Sequence, residues 1–86
     1  MRRRREEAER KARERRLAEE KARREHLFAQ AQAWRTAQDI RGFVAQVLAT
    51  APDAQAREDV ERWATWALAE ADALDPVASG RLAPLG

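Results

Sequence analysis

Three acidic side chains, Glu70, Asp72 and Asp75, stand beside two tryptophans in the stretch WATWALAEADALDP, residues 63–76. Carboxylates gathered near aromatics are the raw material of general acid–base chemistry, which needs titratable groups converging on one pocket in unlike surroundings. Asp72 and Asp75 are three residues apart and would share one helix face. They also fall at the end of a helical run, where the macrodipole disfavours negative charge and calls for a compensating cation. Arg35, across a helical hairpin from Glu70, and Arg24, near Asp75, are the expected counter-ions. An ion-pair role therefore stands ahead of a partner contact, and catalysis comes last. His26 is the single histidine and cysteine is absent, so thiolate chemistry, disulfides and the usual zinc ligand sets are excluded. His26 reads as a boundary or surface residue. No catalytic, cofactor-binding or metal-binding residue is expected, no small-molecule substrate is implied, and the chain does not read as an enzyme.

The elements that would carry these groups are limited by size. The chain has 86 residues, enough for one domain that buries only about 60% of its extended surface. Large apolar side chains are scarcer than that length suggests, with Leu17 alone before Leu27 and a cluster from Leu27 to Leu74. A core built from about 50 residues usually needs a staple, and without cysteine or metal that staple is expected to be a partner. No apolar run approaches the roughly 20 residues of a membrane span, and the basic start leads into no apolar segment of a secretory signal. The cytoplasm is the expected location.

Residues 1–25 carry 12 basic and 7 acidic groups, a net of +5, whereas residues 26–86 carry 5 and 8, a net of −3. The first of these segments, MRRRREEAERKARERRLAEEKARRE, lacks Gly, Pro and β-branched residues and consists of strong helix formers. Opposite charges recur at i and i+4, as in Glu7 with Lys11, Arg10 with Glu14, Lys21 with Glu25 and Glu20 with Arg24. At about 0.2–0.5 kcal/mol each, such pairs sustain a solvated helix without a packed face. Ala8, Ala12, Leu17, Ala18 and Ala22 make a thin seam for a coiled coil, which needs large a and d residues, so residues 1–26 read as a charged spacer helix. Its basic groups point in all directions at 100° per residue. Only Arg2, Arg3, Arg4 and Arg5 form an unneutralised cluster that could contact phosphates. Four arginines at an uncapped N-terminus oppose the dipole, which leads us to expect either a parent protein in which the helix continues upstream or a first turn that frays.

From His26 onward Phe28, Ala31, Trp34, Ala37, Ile40, Val44, Val47 and Leu48 recur at steps of three and four, the spacing of a core-facing stripe. Leu27 and Phe43 lie beside it, and Gly42 marks either a bend or room for a bulky neighbour. Thr50-Ala51-Pro52-Asp53 ends this helix and begins another, Thr50 and Asp53 having the spacing of a capping box. In the second helix Val60, Trp63, Ala64, Ala67, Ala71 and Leu74 fall within about 80° of one another, with Trp66 and Leu68 at the margins. The expected layout is a spacer over 1–26, a hairpin over 27–75 (helix 27–49, loop 50–53, helix 54–74), and a flexible tail over 76–86. Two helices joined by a short loop pack antiparallel, and opposition of residues whose numbers sum to about 103 would set Trp34 on Ala67 and Ala71, Trp63 on Ile40, and Leu74 among Phe28 and Ala31. The expected core is Phe28, Trp34, Ile40, Val44, Val47, Val60, Trp63, Ala67 and Leu74. Trp66 and Leu68 cannot both be covered by one helix and are the expected partner-binding residues.

AWRTAQDIRGFV, followed after a short loop by WATWALAEADALDP, resembles a C-terminal helical region of larger bacterial proteins of unassigned function, some associated with mobile elements. The resemblance spans roughly residues 28–77 and rests on Trp34, Ile40, Arg41, Trp63, Trp66, Ala67, Ala71, Asp72, Asp75 and Pro76. It implies a C-terminal fragment and no particular activity. The sequence thus reads as all-α: a long charged N-terminal helix continuing into an antiparallel two-helix hairpin with a disordered C-terminal tail. Its expected role is non-catalytic protein–protein interaction or oligomerisation, with a protein partner or self-association. An accessory nucleic-acid-binding segment using Arg2–Arg5 is the alternative. Basic and apolar residues occupy successive stretches rather than opposite faces of one helix, which argues against a membrane-surface role.

Overall fold

The computed structural model describes residues 2–82, Arg2 by its backbone alone. Among these residues there are two α-helices and no strand, α1 (Arg2–Ala49) and α2 (Ala54–Leu74), packed as an antiparallel hairpin. The molecule measures 81 × 18 × 14 Å, because α1 alone, at 48 residues, is about 72 Å long at 1.5 Å per residue. Residues 3–29 are all exposed, so the first half of α1 stands in solvent. Three of the expected ion pairs lie within reach on this half, Lys11 with Glu7 at 4.0 Å, Arg10 with Glu14 at 4.0 Å and Lys21 with Glu25 at 3.9 Å. Their solvated separations suit weak pairs whose effect is collective.

The turn between the helices is defined by capping groups. Thr50 donates both its backbone N–H and its hydroxyl to the carbonyl of Val47, at 3.2 and 3.0 Å, which closes α1. Asp53 then takes an extended conformation and its carboxylate accepts the N–H of Ala56 at 2.8 Å. Asp53 is thus itself the N-cap, which corrects the expected capping box, since Thr50 belongs to the end of the first helix and not to the start of the second. The Arg57 guanidinium reaches back from the first turn of α2 to the carbonyl of Leu48 at 3.2 Å, satisfying one of the acceptors that a helix C-terminus leaves open.

The core is small and made largely of alanine. Ala37, Val44, Ala64, Ala67 and Ala71 are buried, and Val44 is the largest side chain fully enclosed. Ile40, Leu48 and Trp63 pack against this centre from its margins, and Val47 and Val60 are half-buried. Alanines at the contact line let two helices approach closely.

Three expected core residues lie outside it. Phe28 is 61% exposed, Trp34 46% and Leu74 36%. The stripe drawn through Phe28, Ala31, Trp34 and Ala37 advances by three residues at every step, and each such step drifts about 60° around the helix. Phe28 therefore points about 180° from the buried Ala37, and Trp34 about 60° from it. Leu74 is the final residue of α2 and points about 60° from the buried Ala71. The pairing is also shifted: Phe43, which the expected register set against Val60, meets Trp63 edge to face with centroids 5.8 Å apart. Gly42 accommodates no bulky neighbour, because a Cβ placed there would meet nothing within 4 Å.

Beyond α2, where a flexible tail was expected from residue 76, residues 76–80 form a turn. The Ser79 N–H donates to the Asp75 carbonyl at 2.9 Å, and the Arg81 N–H donates to the Pro76 carbonyl at 3.0 Å. Gly80 closes the turn at φ +73°, a left-handed conformation that suits a residue without Cβ. The remainder of the expected tail, residues 83–86, lies outside the described residues.

Candidate functional site

The hairpin has two long edges of different chemistry. One is closed by Arg41. Its guanidinium donates to Asp75 Oδ2 and to Asp72 Oδ1, both at 2.8 Å, so a single arginine of α1 spans the two carboxylates at the end of α2. Asp75 is 3% exposed, and a carboxylate so enclosed must have its lone pairs satisfied. Its Oδ1 accepts the backbone N–H groups of Val77 and Ala78 at 2.8 and 3.2 Å, while its own N–H donates to the Ala71 carbonyl at 2.9 Å. Asp75 therefore ends α2 and caps the following turn at once, which Pro76 can begin without a free N–H. The hydrogen bond from Arg41 is the main cause holding the Asp75 carboxyl below its ordinary range, against burial, with Ala78 and Val77 assisting. Asp72 first, and then Asp75, stabilises the charged Arg41.

The ion pairing expected of Asp72 and Asp75 is thus present with a different partner. Arg24 was the cation expected near Asp75, and Arg41 takes its place; among the described residues Arg35, expected to pair with Glu70, lies within 4.0 Å of no acid. The signal lay in the stripe: Arg41 follows Ala37 by four residues and precedes Val44 by three, so it is a charged side chain on the core-facing line. A cation in that position must find a buried or half-buried acid across the interface.

The second edge is aromatic. Trp63 is half-buried, Phe43 packs on it edge to face, and Trp66, one turn on along α2, is 61% exposed. At 100° per residue Trp66 lies about 160° from the buried Ala64, and α1 does not reach it. Leu68, at 38%, lies on the Arg41 side instead, so the structure does not bring the two expected partner-binding residues together.

The remaining expected groups are dispersed. Arg3, Arg4 and Arg5 are exposed in the first turns of α1, with Glu6 and Glu7 directly after them, and the side chain of Arg2 lies outside the described residues. A shallow depression among Arg3, Glu6, Glu7, Arg10 and Arg13 lies on the surface of this single helix. His26 is exposed. Among the described residues no group of His, Cys, Asp or Glu is arranged to hold a metal ion, and no helix is long and apolar enough to cross a membrane. No protein-family model, curated protein or solved structure matches the chain.

Proposed function

We propose that the chain is a non-catalytic helical module for protein–protein association. The observation that carries this reading is the difference between the edges of the hairpin: one is closed by Arg41, Asp72 and Asp75, and the other leaves Phe43 and Trp66 each 61% exposed around the half-buried Trp63. Exposed aromatics gathered along one edge are favoured anchors of protein interfaces, supplying large contact area at little entropic cost. The small alanine core supports the same reading, since a hairpin with one fully enclosed valine gains from further burial. The bacterial and cytoplasmic setting expected from the sequence belongs to this proposal.

Two tryptophan variants test it. Trp66→Ala is expected to leave helicity and hairpin stability nearly unchanged while weakening association. Trp63→Ala, removing a half-buried ring, is expected to destabilise the hairpin itself by roughly 2 kcal/mol. Sedimentation and circular dichroism are the measurements. A wild-type chain that stays monomeric and binds no protein, or a Trp66→Ala variant that associates as the wild type does, would refute the proposal. Duplex binding that weakens steeply with salt would instead support the Arg2–Arg5 reading.

A further inference from the structure

The first half of α1 is a bare helix, and the same helix carries exposed side chains that suit a copy of itself. Lys21 and Asp39 are 18 residues apart, about five turns at 100° per residue, so both project along one line. Leu17 and Gly42 lie to one side of this line, and Ala18 and Phe43 to the other. All six are exposed. Gly42 has nothing within 4 Å of a notional Cβ. Lys21 is paired only weakly, with Glu25 at 3.9 Å. Among the described residues Asp39 has no basic group within 4 Å.

We infer that this face of α1 binds a second copy of the chain in antiparallel register, with the two-fold axis near residue 30. This inference rests on the association reading above and names its partner. In that register Lys21 of each copy faces Asp39 of the other. Leu17 lies over the second copy's Gly42, and Phe43 over its Ala18, so bulk meets small on both sides of the charged line. The contact is isologous, and each pairing occurs twice.

Direction is chosen by charge. An antiparallel pair brings Lys21 of each copy to Asp39 of the other, whereas a parallel pair opposes Lys21 to Lys21 and Asp39 to Asp39. Electrostatic complementarity of this kind fixes register and orientation more than it adds raw affinity.

Sedimentation equilibrium of the full chain tests the arrangement, with Lys21→Asp, Asp39→Lys and the double reversal compared with wild type. Both positions are exposed helix surface, so circular dichroism should show the fold unchanged in all of them. The wild type is expected to be a dimer. Each single reversal opposes like charges at two symmetric places and should weaken the dissociation constant by about tenfold, and the double reversal should restore it to within about threefold. A wild-type monomer at all concentrations would overturn the inference while leaving the association reading open to another protein. A dimer weakened by Trp66→Ala but indifferent to the charge reversals would also overturn it, and would leave the association reading intact. A double variant weaker than either single variant would show that Lys21 and Asp39 do not meet.

Discussion

Val44 and Phe28 exchange the importance that size alone assigns them, and truncating each to alanine measures this. Val44 is 1% exposed at the centre of the hairpin, among Ala64, Ala67 and the flanking Ile40, Leu48 and Trp63. Val44→Ala removes two methyl equivalents, about 1.6 kcal/mol of transfer free energy at about 0.8 each. The remaining cavity raises the total to about 2–3 kcal/mol. A hairpin of about 50 residues is stable by roughly 3–7 kcal/mol at ordinary values per residue, so this variant should lose a large part of its folded population. Phe28 is bulkier but points into solvent from the far side of α1. Phe28→Ala should change hairpin stability by less than about 0.5 kcal/mol, with the better helix propensity of alanine favouring the variant. The assay is urea unfolding of dilute protein followed by tryptophan fluorescence, which reports on the hairpin through Trp63 and is not dominated by the solvated half of α1. Equal losses in the two variants at dilution would refute the placement of Phe28 outside the core.

Two further outcomes follow from local geometry. Gly42→Ala should stabilise α1 by about 1 kcal/mol, since the position is helical and its notional Cβ meets nothing within 4 Å; a lower midpoint in thermal unfolding of dilute protein would contradict this. Because Arg41 holds the folded-state carboxyl of Asp75 below its ordinary value, its stabilising contribution is fully present above the unfolded value of about 4 and is lost as pH falls through the lowered folded value. Urea midpoints should therefore fall in acid for the wild type and less so for Asp75→Asn, the two converging at low pH. A variant with the same acid sensitivity as the wild type would assign that sensitivity to other carboxylates.

The helices were legible in the sequence because their signals are local. Arg, Glu, Lys and Ala without a breaker give α1, and Thr50 through Asp53 contain the chemistry that stops one helix and starts the next. The boundaries of α2, Ala54–Leu74, fall where those signals place them. What the sequence left undetermined was rotation. A run of apolar residues spaced by three drifts around a helix, and only the packed partner decides where along that drift the buried face lies. For α1 the deciding partners are Ala64, Ala67 and Ala71, whose small size draws Ala37 and Val44 to the contact and leaves Phe28 and Trp34 outside. A core centred on alanine is hard to read from hydrophobicity, which ranks phenylalanine and tryptophan above the residues that fill this one.

The same rotation explains why the candidate site divides as it does. Arg41 and Phe43 are two residues apart and therefore about 160° apart on α1 at 100° per residue, after taking the shorter way round. When Val44 turns inward between them, each is sent to a different edge of the hairpin. The edge that receives a cation must meet acids to be buried at all, and Asp72 and Asp75 supply them within 2.8 Å. The edge that receives Phe43 meets Trp63, which covers only part of its ring, and Trp66 continues the apolar surface beyond the reach of α1. Polar satisfaction is completed within the chain, because a buried unpaired carboxylate would be too costly to leave. Apolar coverage carries no such obligation, and along one edge it stays incomplete, with Phe43 and Trp66 each 61% exposed.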